Sequence, residues 1–357
     1  MERFAFIIHP LDTADVSRKF PLAAKLPPAV IESVLRLIPP MEVSKITGIR
    51  SAISEAEGWF VGCTLTARQM LELPEEFVLK RIIQAGKKAE QLGAKIVGLG
   101  AFTSVVGDAG ITVARNLDIA VTTGNSYTVA TAIAGTKLAA REMEIDLNSA
   151  QVAVIGATGA IGSTCARILA REVRYLTLFG RDQSKLKRTA DLIYKEVGLA
   201  VKISTNLPDT LAAADIIITV SGAADAIIMP EQLKSGAIVC DVARPRDVSV
   251  RVAKERDDVL VFEGGVVKVP NGTNFNFNFG FPPGTAYACM AETMLLALEG
   301  RYECFTLGRD LTVAQVDEIS TIADKHGFTL AGLRSFERAV TREQIQAIKK
   351  KVQDKKG

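Results

Sequence analysis

The chain has 357 residues, 48% of them hydrophobic and 23% charged, with a formal net charge of +3. That length exceeds one ordinary core and predicts two domains or a split one, while dispersed basic residues argue against nucleic-acid binding. No apolar run reaches the roughly eighteen residues of a membrane span; two histidines, His9 and His326, are too few for a histidine-rich metal site, and five cysteines without a C-x-x-C pair predict neither a disulfide framework nor a zinc knuckle.

Read from its start, "MERFAFIIHP" has no basic leader or small-residue cleavage site and reads as a first strand, which predicts a cytoplasmic protein. Further strands are expected at "GWFVGCTL", "AKIVGLG" and "DIAVTTG", separated by helical patterns such as "EEFVLKRIIQAGKKAEQLG". Strands alternating with helices predict an α/β layer. A helix over "YTVATAIAGTKLAAREMEI" then leads through the polar turn "DLNSA", where the first domain, an α/β substrate domain over 1–149, is expected to end. From 151 the pattern is regular: "QVAVIGA", "RYLTLFG", "LAVKIST", "ADIIITVSG", "GAIVCDVA" and "DVLVFEGG" alternate with helices. Such continuous apolar runs are strands buried on both faces, so 150–265 is expected to be a Rossmann-type, doubly wound parallel sheet. After Gly265 comes the Asn- and Gly-rich "VVKVPNGTNFNFNFGFPPG", then a C-terminal helical segment that completes a third region, 266–357, and packs on the cleft. Its basic end, "AIKKKVQDKKG", reads most simply as a solvated helix terminus, with docking of an acidic partner as the other reading.

Between the first strand of the middle domain and its helix lies "GATGAIGST". Gly156, Gly159 and Gly162 suit a tight turn, a close backbone approach to a pyrophosphate and close helix–strand packing, which assigns Gly156, Ala157, Thr158, Gly159, Ala160, Ile161 and Gly162 to dinucleotide binding. No lysine follows the last glycine, so a triphosphate P-loop is not matched. Ser221, closing "ADIIITVSG", joins the cofactor set. The next strand ends in Gly180 and Arg181 where a ribose-binding acid would stand, which favours NADPH with Arg181 on the 2′-phosphate. Lys185 and Arg188 add charge or belong to a solvated helix face, and Asp182, one step on, keeps NADH open.

The stretch "AYACMAETMLLALEG", 286–300, follows the helix-breaking "FPPG". With Thr285 as a cap, Cys289 falls about one turn into a helix, where the dipole favours a thiolate; buried packing of a small apolar residue is the other reading. Glu292 and Thr293 share its face, Glu292 as proton donor or as a partner in a polar contact.

The chain resembles the long-chain acyl-(acyl carrier protein) reductases of cyanobacteria and their relatives, as a divergent member. The resemblance lies in "GLGAFTSVV" at 98–106, "TTGN" at 122–125, "GATGAIGS" at 156–163, "GGVV" at 264–267, "ACMAETMLLALEG" at 288–300, "LGRDLTV" at 307–313 and "KHGF" at 325–328. It implies a cytoplasmic, NADPH-dependent reduction of an acyl thioester to a fatty aldehyde, the acyl group arriving on acyl carrier protein or coenzyme A, with an aldehyde-consuming enzyme as a further partner. The family's acyl-enzyme cysteine corresponds to Cys289, and a second family cysteine to Cys63, which reads as structural or pocket-lining. Tyr127 stands where the family has a histidine, and "VARPR" and "GGVVKVP" replace family segments. An oxyanion would be held by backbone amides near "TTGN" or the helix start, with Ser104 or Asn125 as side-chain donors; for these residues, as for Thr103 and Thr123, strand-end turn chemistry is the alternative. The alternating Phe residues of "FNFNFGF" either line an acyl channel or face a core. Two other functions stay open: a shikimate- or amino-acid-dehydrogenase-like reductase of a small polar substrate, with Lys137 or Asp108 handling a proton, and a non-catalytic dinucleotide-binding protein.

Overall fold

The computed structural model describes residues 1–223, 225–270, 272–336 and 338–355. The chain divides into two compact units, one of residues 1–127, 267–311 and 317–329, the other of 128–266, 312–316 and 330–357.

The first unit is built on a five-stranded sheet of β1 (Glu2–Ile8), β2 (Met41–Arg50), β3 (Glu55–Gly62), β4 (Ile96–Leu99) and β5 (Ala120–Thr122), in the order β2–β3–β1–β4–β5. All neighbours are parallel except β2 with β3, the edge pair. β1 is the centre because Phe4, Ala5, Phe6 and Ile7 are apolar without interruption and are buried on both faces. The helix Glu75–Gln91 covers one face with Val78, Ile82, Ala85 and Ala89, a stripe at helical spacing.

The second unit carries six parallel strands: β6 (Gln151–Ile155), β7 (Tyr175–Phe179), β8 (Lys202–Ser204), β9 (Ile216–Thr219), β10 (Ile238–Asp241) and β11 (Leu260–Glu263). Their order, β11–β10–β9–β6–β7–β8, is the doubly wound Rossmann arrangement. The order reverses between β6 and β9, and the carboxyl ends of strands at such a reversal are where open α/β sheets bind ligands. Ile155, Ile217, Val239 and Val261, one from each of four strands, share one buried hydrophobic cluster.

The division falls at residue 127, inside the helix Asn125–Glu142, and not at the 146–150 turn. Packing explains the position. A Cβ on Gly135 would sit 2.9 Å from the Phe262 ring, and the Cys240 thiol lies 3.9 Å from the Ala132 carbonyl, so this part of the helix belongs to the parallel sheet. Nor does 266–357 form one region, since 267–311 joins the first unit and 330–357 the second. The basic terminal helix Arg342–Asp354 and its flank are ion-paired within the second unit: Lys351 lies 3.4 Å from Asp257, Lys355 2.8 Å from Asp258, and Lys349 pairs with Glu144.

Candidate functional site

Two groups of predicted residues are each brought together, one in each unit.

In the second unit β6 runs into a turn at 156–159 and then into the helix Ala160–Leu169. Gly156 has φ +82°, and a Cβ there would lie 2.4 Å from the Val220 carbonyl oxygen; a Cβ on Gly162 would lie 2.3 Å from that of Gly156. The protein's own backbone therefore demands both glycines. Gly159 differs, because the nearest heavy atom to a Cβ there is the Gly156 oxygen at 3.6 Å, an ordinary contact. Nothing in the turn itself excludes a side chain at 159. Gly159 is the helix N-cap with no side-chain cap, and the first-turn amides have no partner within the helix, an arrangement that fits a pyrophosphate. Gly159→Val should still fold, with a melting temperature lowered by no more than a few degrees for the poorer N-cap, yet lose dinucleotide binding in titration; retained binding would place the phosphates elsewhere.

Two assigned residues act differently from expectation. Ala157 is buried and donates its N–H to the Phe179 carbonyl at 3.1 Å, so it braces the turn and does not offer that amide to a phosphate. Ser221 is held by Asp247, which accepts its N–H at 2.8 Å and also its hydroxyl proton. The Thr219 hydroxyl joins the same carboxylate. Asp247, fully buried, went unnoticed in the sequence; the polar "RPRD" run after a buried strand was the available signal. Arg181 is exposed beyond Gly180, at the end of β7. Asp182 caps the helix Gln183–Val197 by accepting from Lys185 N–H at 3.0 Å, and this bond holds its carboxyl below the usual range. One oxygen of its ionised carboxylate is thereby occupied with helix capping.

In the first unit the helix Ala288–Leu298 is buried at every residue except Cys289, which is half-buried. Thr285 does not cap it. Thr285–Tyr287 is a short strand, the Thr285 hydroxyl donates to the Pro282 carbonyl at 2.7 Å, and the N-cap is Tyr287, without a side-chain cap. Cys289 is thus the second residue of the helix, closer to the positive end of the dipole than one turn in. Two glycines let the helix approach. A Cβ on Gly98 in β4 would overlap the Thr293 hydroxyl oxygen at 2.0 Å, and one on Gly124, φ +76°, would lie 2.3 Å from the Cys289 Cα. The "TTGN" turn therefore lies against Cys289, with half-buried Asn125 opening the next helix beside it.

Glu292 is fully buried and its two oxygens accept throughout. Oε1 receives the hydroxyls of Thr122 at 2.5 Å and Thr306 at 2.8 Å; Oε2 receives the Ser126 hydroxyl at 2.6 Å and the Tyr127 N–H at 3.0 Å. Of the two readings of Glu292, proton donor or partner in a polar contact, this geometry matches the second: Glu292 ties the cysteine helix to the start of the helix at 125 and is fully buried. Its partners were missed, although a lone acid in an otherwise apolar helix signals a buried carboxylate that needs donors. Ser104 directs its hydroxyl to the Ala101 carbonyl at 2.7 Å and Thr103 to that of Gly100 at 2.7 Å, so both follow turn chemistry. Cys63, Cys165 and Cys240 are fully buried, and burial pushes the first two thiols up to about 12 and the third higher still.

"FNFNFGF" is neither a regular strand nor a purely buried one. Asn274 and Asn278 accept from the N–H groups of Asn276 and Gly280, both at 2.9 Å, and these turns alternate Asn outward with Phe inward. Phe279 contacts Phe60, Phe275 and Phe281 at 5.6, 5.1 and 5.9 Å between ring centroids, and Phe281 meets Tyr287 edge to face at 4.5 Å. The row of rings ends two residues before Cys289.

A family model described as shikimate/quinate 5-dehydrogenase matches residues 137–263. The aminotransferase PigE of Serratia sp. is 30% identical over 323 residues, 88% of this chain and 37% of that protein, so the chain spans little more than a third of this relative. The long-chain acyl-[acyl-carrier-protein] reductase of Synechococcus elongatus is 28% identical over 305 residues, 81% of this chain and 87% of that protein. Among solved structures, quinate dehydrogenase from Corynebacterium glutamicum in complex with NAD is 17% identical, with a TM-score of 0.36 over 72% of this chain and 87% of that one.

Proposed function

We propose that the chain is an NADPH-dependent reductase of long-chain acyl thioesters that releases an aldehyde from a cysteine acyl-enzyme. The observation that carries this reading is the helix Ala288–Leu298, buried everywhere except at Cys289, with the Gly124 turn against that residue. Similarity to the Synechococcus reductase over most of that protein's length supports the substrate class.

In the proposed reaction the Cys289 thiolate attacks the thioester carbonyl carbon, a new C–S bond forms, and the carrier's C–S bond breaks as its sulfur leaves and takes up a proton. The donors proposed for the oxyanion are backbone amides at the starts of the helices at 125 and 288, other than the Tyr127 N–H that Glu292 accepts, with the Asn125 side chain beside them. Phe277, Phe279, Phe281 and Tyr287, all half-buried, give the acyl chain an aromatic wall. NADPH, held by residues 158–162, would supply the hydride for the acyl carbon; the C–S bond to Cys289 then breaks, the aldehyde leaves and the thiolate is regenerated. Acyl carrier protein or coenzyme A delivers the acyl group, and an aldehyde-consuming enzyme takes the product.

The alternative, a reductase of small polar substrates, needs a proton-handling lysine or carboxylate. Lys137 pairs with Glu172, and Asp108 accepts both the N–H and the hydroxyl of Thr112, at 2.9 and 2.7 Å, so both groups are engaged within local structure. Intact-protein mass measured after incubation with acyl thioester and no NADPH tests the reading: one acyl group on the Cys289 peptide is expected, and its absence refutes the acyl-enzyme.

Cofactor choice has its own test. Arg181→Ala removes a charge-assisted contact worth about 1.5–3 kcal/mol, so the Kd for NADPH should rise roughly ten- to a hundred-fold while that for NADH barely moves. Equal weakening of both would count against the 2′-phosphate role.

A further inference from the structure

Outside both groups, residues 20–39 present an unusual surface. The 3-10 turn Pro21–Lys25 has no buried residue. In the helix Pro28–Leu37, Ile31 and Leu35 are buried, yet Val30, Val34 and Leu37, spaced i, i+4 and i+7, face outward. This helix is apolar on two sides. With Phe20, Leu22 and Leu26 these make six large apolar side chains exposed by 44% to 82% of their surface. A protein surface in water seldom concentrates them so.

The polar groups of the segment sharpen its meaning. Its exposed charges are Lys25 and Arg36, both cationic, while Glu32, its one acid, is buried and bonded to Arg68. Ser33, the exposed hydroxyl, donates to the Ala29 carbonyl at 2.8 Å. A protein–protein interface usually carries about one hydrogen bond per 100–200 Å², and this face has almost no neutral side chain to form them. A two-fold contact between copies would moreover bring Lys25 and Arg36 together without an exposed acid from the same segment to pair with either.

We propose that residues 20–37 form a membrane-surface contact that lays Phe20, Leu22, Leu26, Val30, Val34 and Leu37 into the headgroup–acyl boundary of an anionic bilayer, with Lys25 and Arg36 on lipid phosphates. Among the described residues no helix is long and apolar enough to cross a membrane, so the contact is peripheral. It stands independently of the thioester reading.

Co-sedimentation of the full chain with lipid vesicles tests it. The protein should pellet with phosphatidylcholine vesicles containing about one-third phosphatidylglycerol, and much less with phosphatidylcholine alone. Leu22→Glu with Leu37→Glu should lower partitioning at least about ten-fold, and Lys25→Glu with Arg36→Glu should remove the preference for anionic lipid, with melting temperature and dinucleotide titration unchanged in both. Absence of vesicle binding, or binding that neither double variant alters, would overturn the proposal. So would a dimer in solution that Leu22→Glu with Leu37→Glu converts to monomer, which would assign the face to a second copy.

Discussion

Cys289→Ser is expected to lower aldehyde release from an acyl thioester by about 10⁴-fold or more while leaving the dinucleotide Kd unchanged. The serine hydroxyl is close to the thiol in size, so the helix start should survive, but near neutral pH it is far less ionised than a cysteine thiol and lacks a thiolate's nucleophilicity. Alkylation provides the parallel measurement. Cys304 is exposed and should also react, so bulk labelling is not diagnostic; Cys63, Cys165 and Cys240, fully buried, should remain unmodified. The diagnostic outcome is protection of Cys289 alone by acyl thioester, followed by its return to reactivity when NADPH releases the aldehyde. Continued turnover by Cys289→Ser would leave the cysteine with a packing role only.

Glu292→Ala is expected to be the most destabilising of the substitutions considered. It leaves three buried hydroxyls and the Tyr127 N–H without their shared acceptor. The Thr122 and Thr306 hydroxyls, 2.8 Å apart, can bond to each other, which limits the loss. A cost of about 3 kcal/mol is expected, or roughly 10 °C in Tm at 2–4 °C per kcal/mol. Glu292→Gln keeps the volume but turns an amide donor toward donors, so about half that loss should follow. Because Glu292 positions the cysteine helix, Tm and the rate of Cys289 alkylation should fall together across the two variants. A Glu292→Gln protein with wild-type Tm and alkylation but no turnover would restore the proton-donor role.

The parallel sheet was legible because its strands are buried on both faces and so read as unbroken apolar runs, as "QVAVIGA" and "ADIIITVSG" do. The glycine loop was legible for the same local reason: turn and helix start are encoded within seven residues. The unit boundary was not, since helical periodicity continues unbroken through 127 and carries no mark of which sheet each turn packs upon. Thr285 was misjudged because a three-residue strand has too short a pattern to compete with a capping signal. The roles of Gly124 and Glu292 depend on partners 165 and 170 positions away in the chain, Cys289 for the first and Thr122 for the second, and no local pattern reports such pairs. Asp247 was hidden likewise, its partners Thr219 and Ser221 lying 28 and 26 positions back, beyond the 3-10 turn Pro230–Gln232 and β10.

The single half-buried position in an otherwise enclosed helix also separates evolvability from foldability. Along 288–298 every residue but one is buried, so a change of size there disturbs packed neighbours, whereas half-buried position 289 has one side open and should accept a smaller side chain at less cost. If Cys289 is the nucleophile, it can thus be deleted while its surroundings are largely preserved. A Cys289→Ala protein would be a shape-faithful decoy, able to retain an uncleaved thioester long enough for its carrier to be captured and identified.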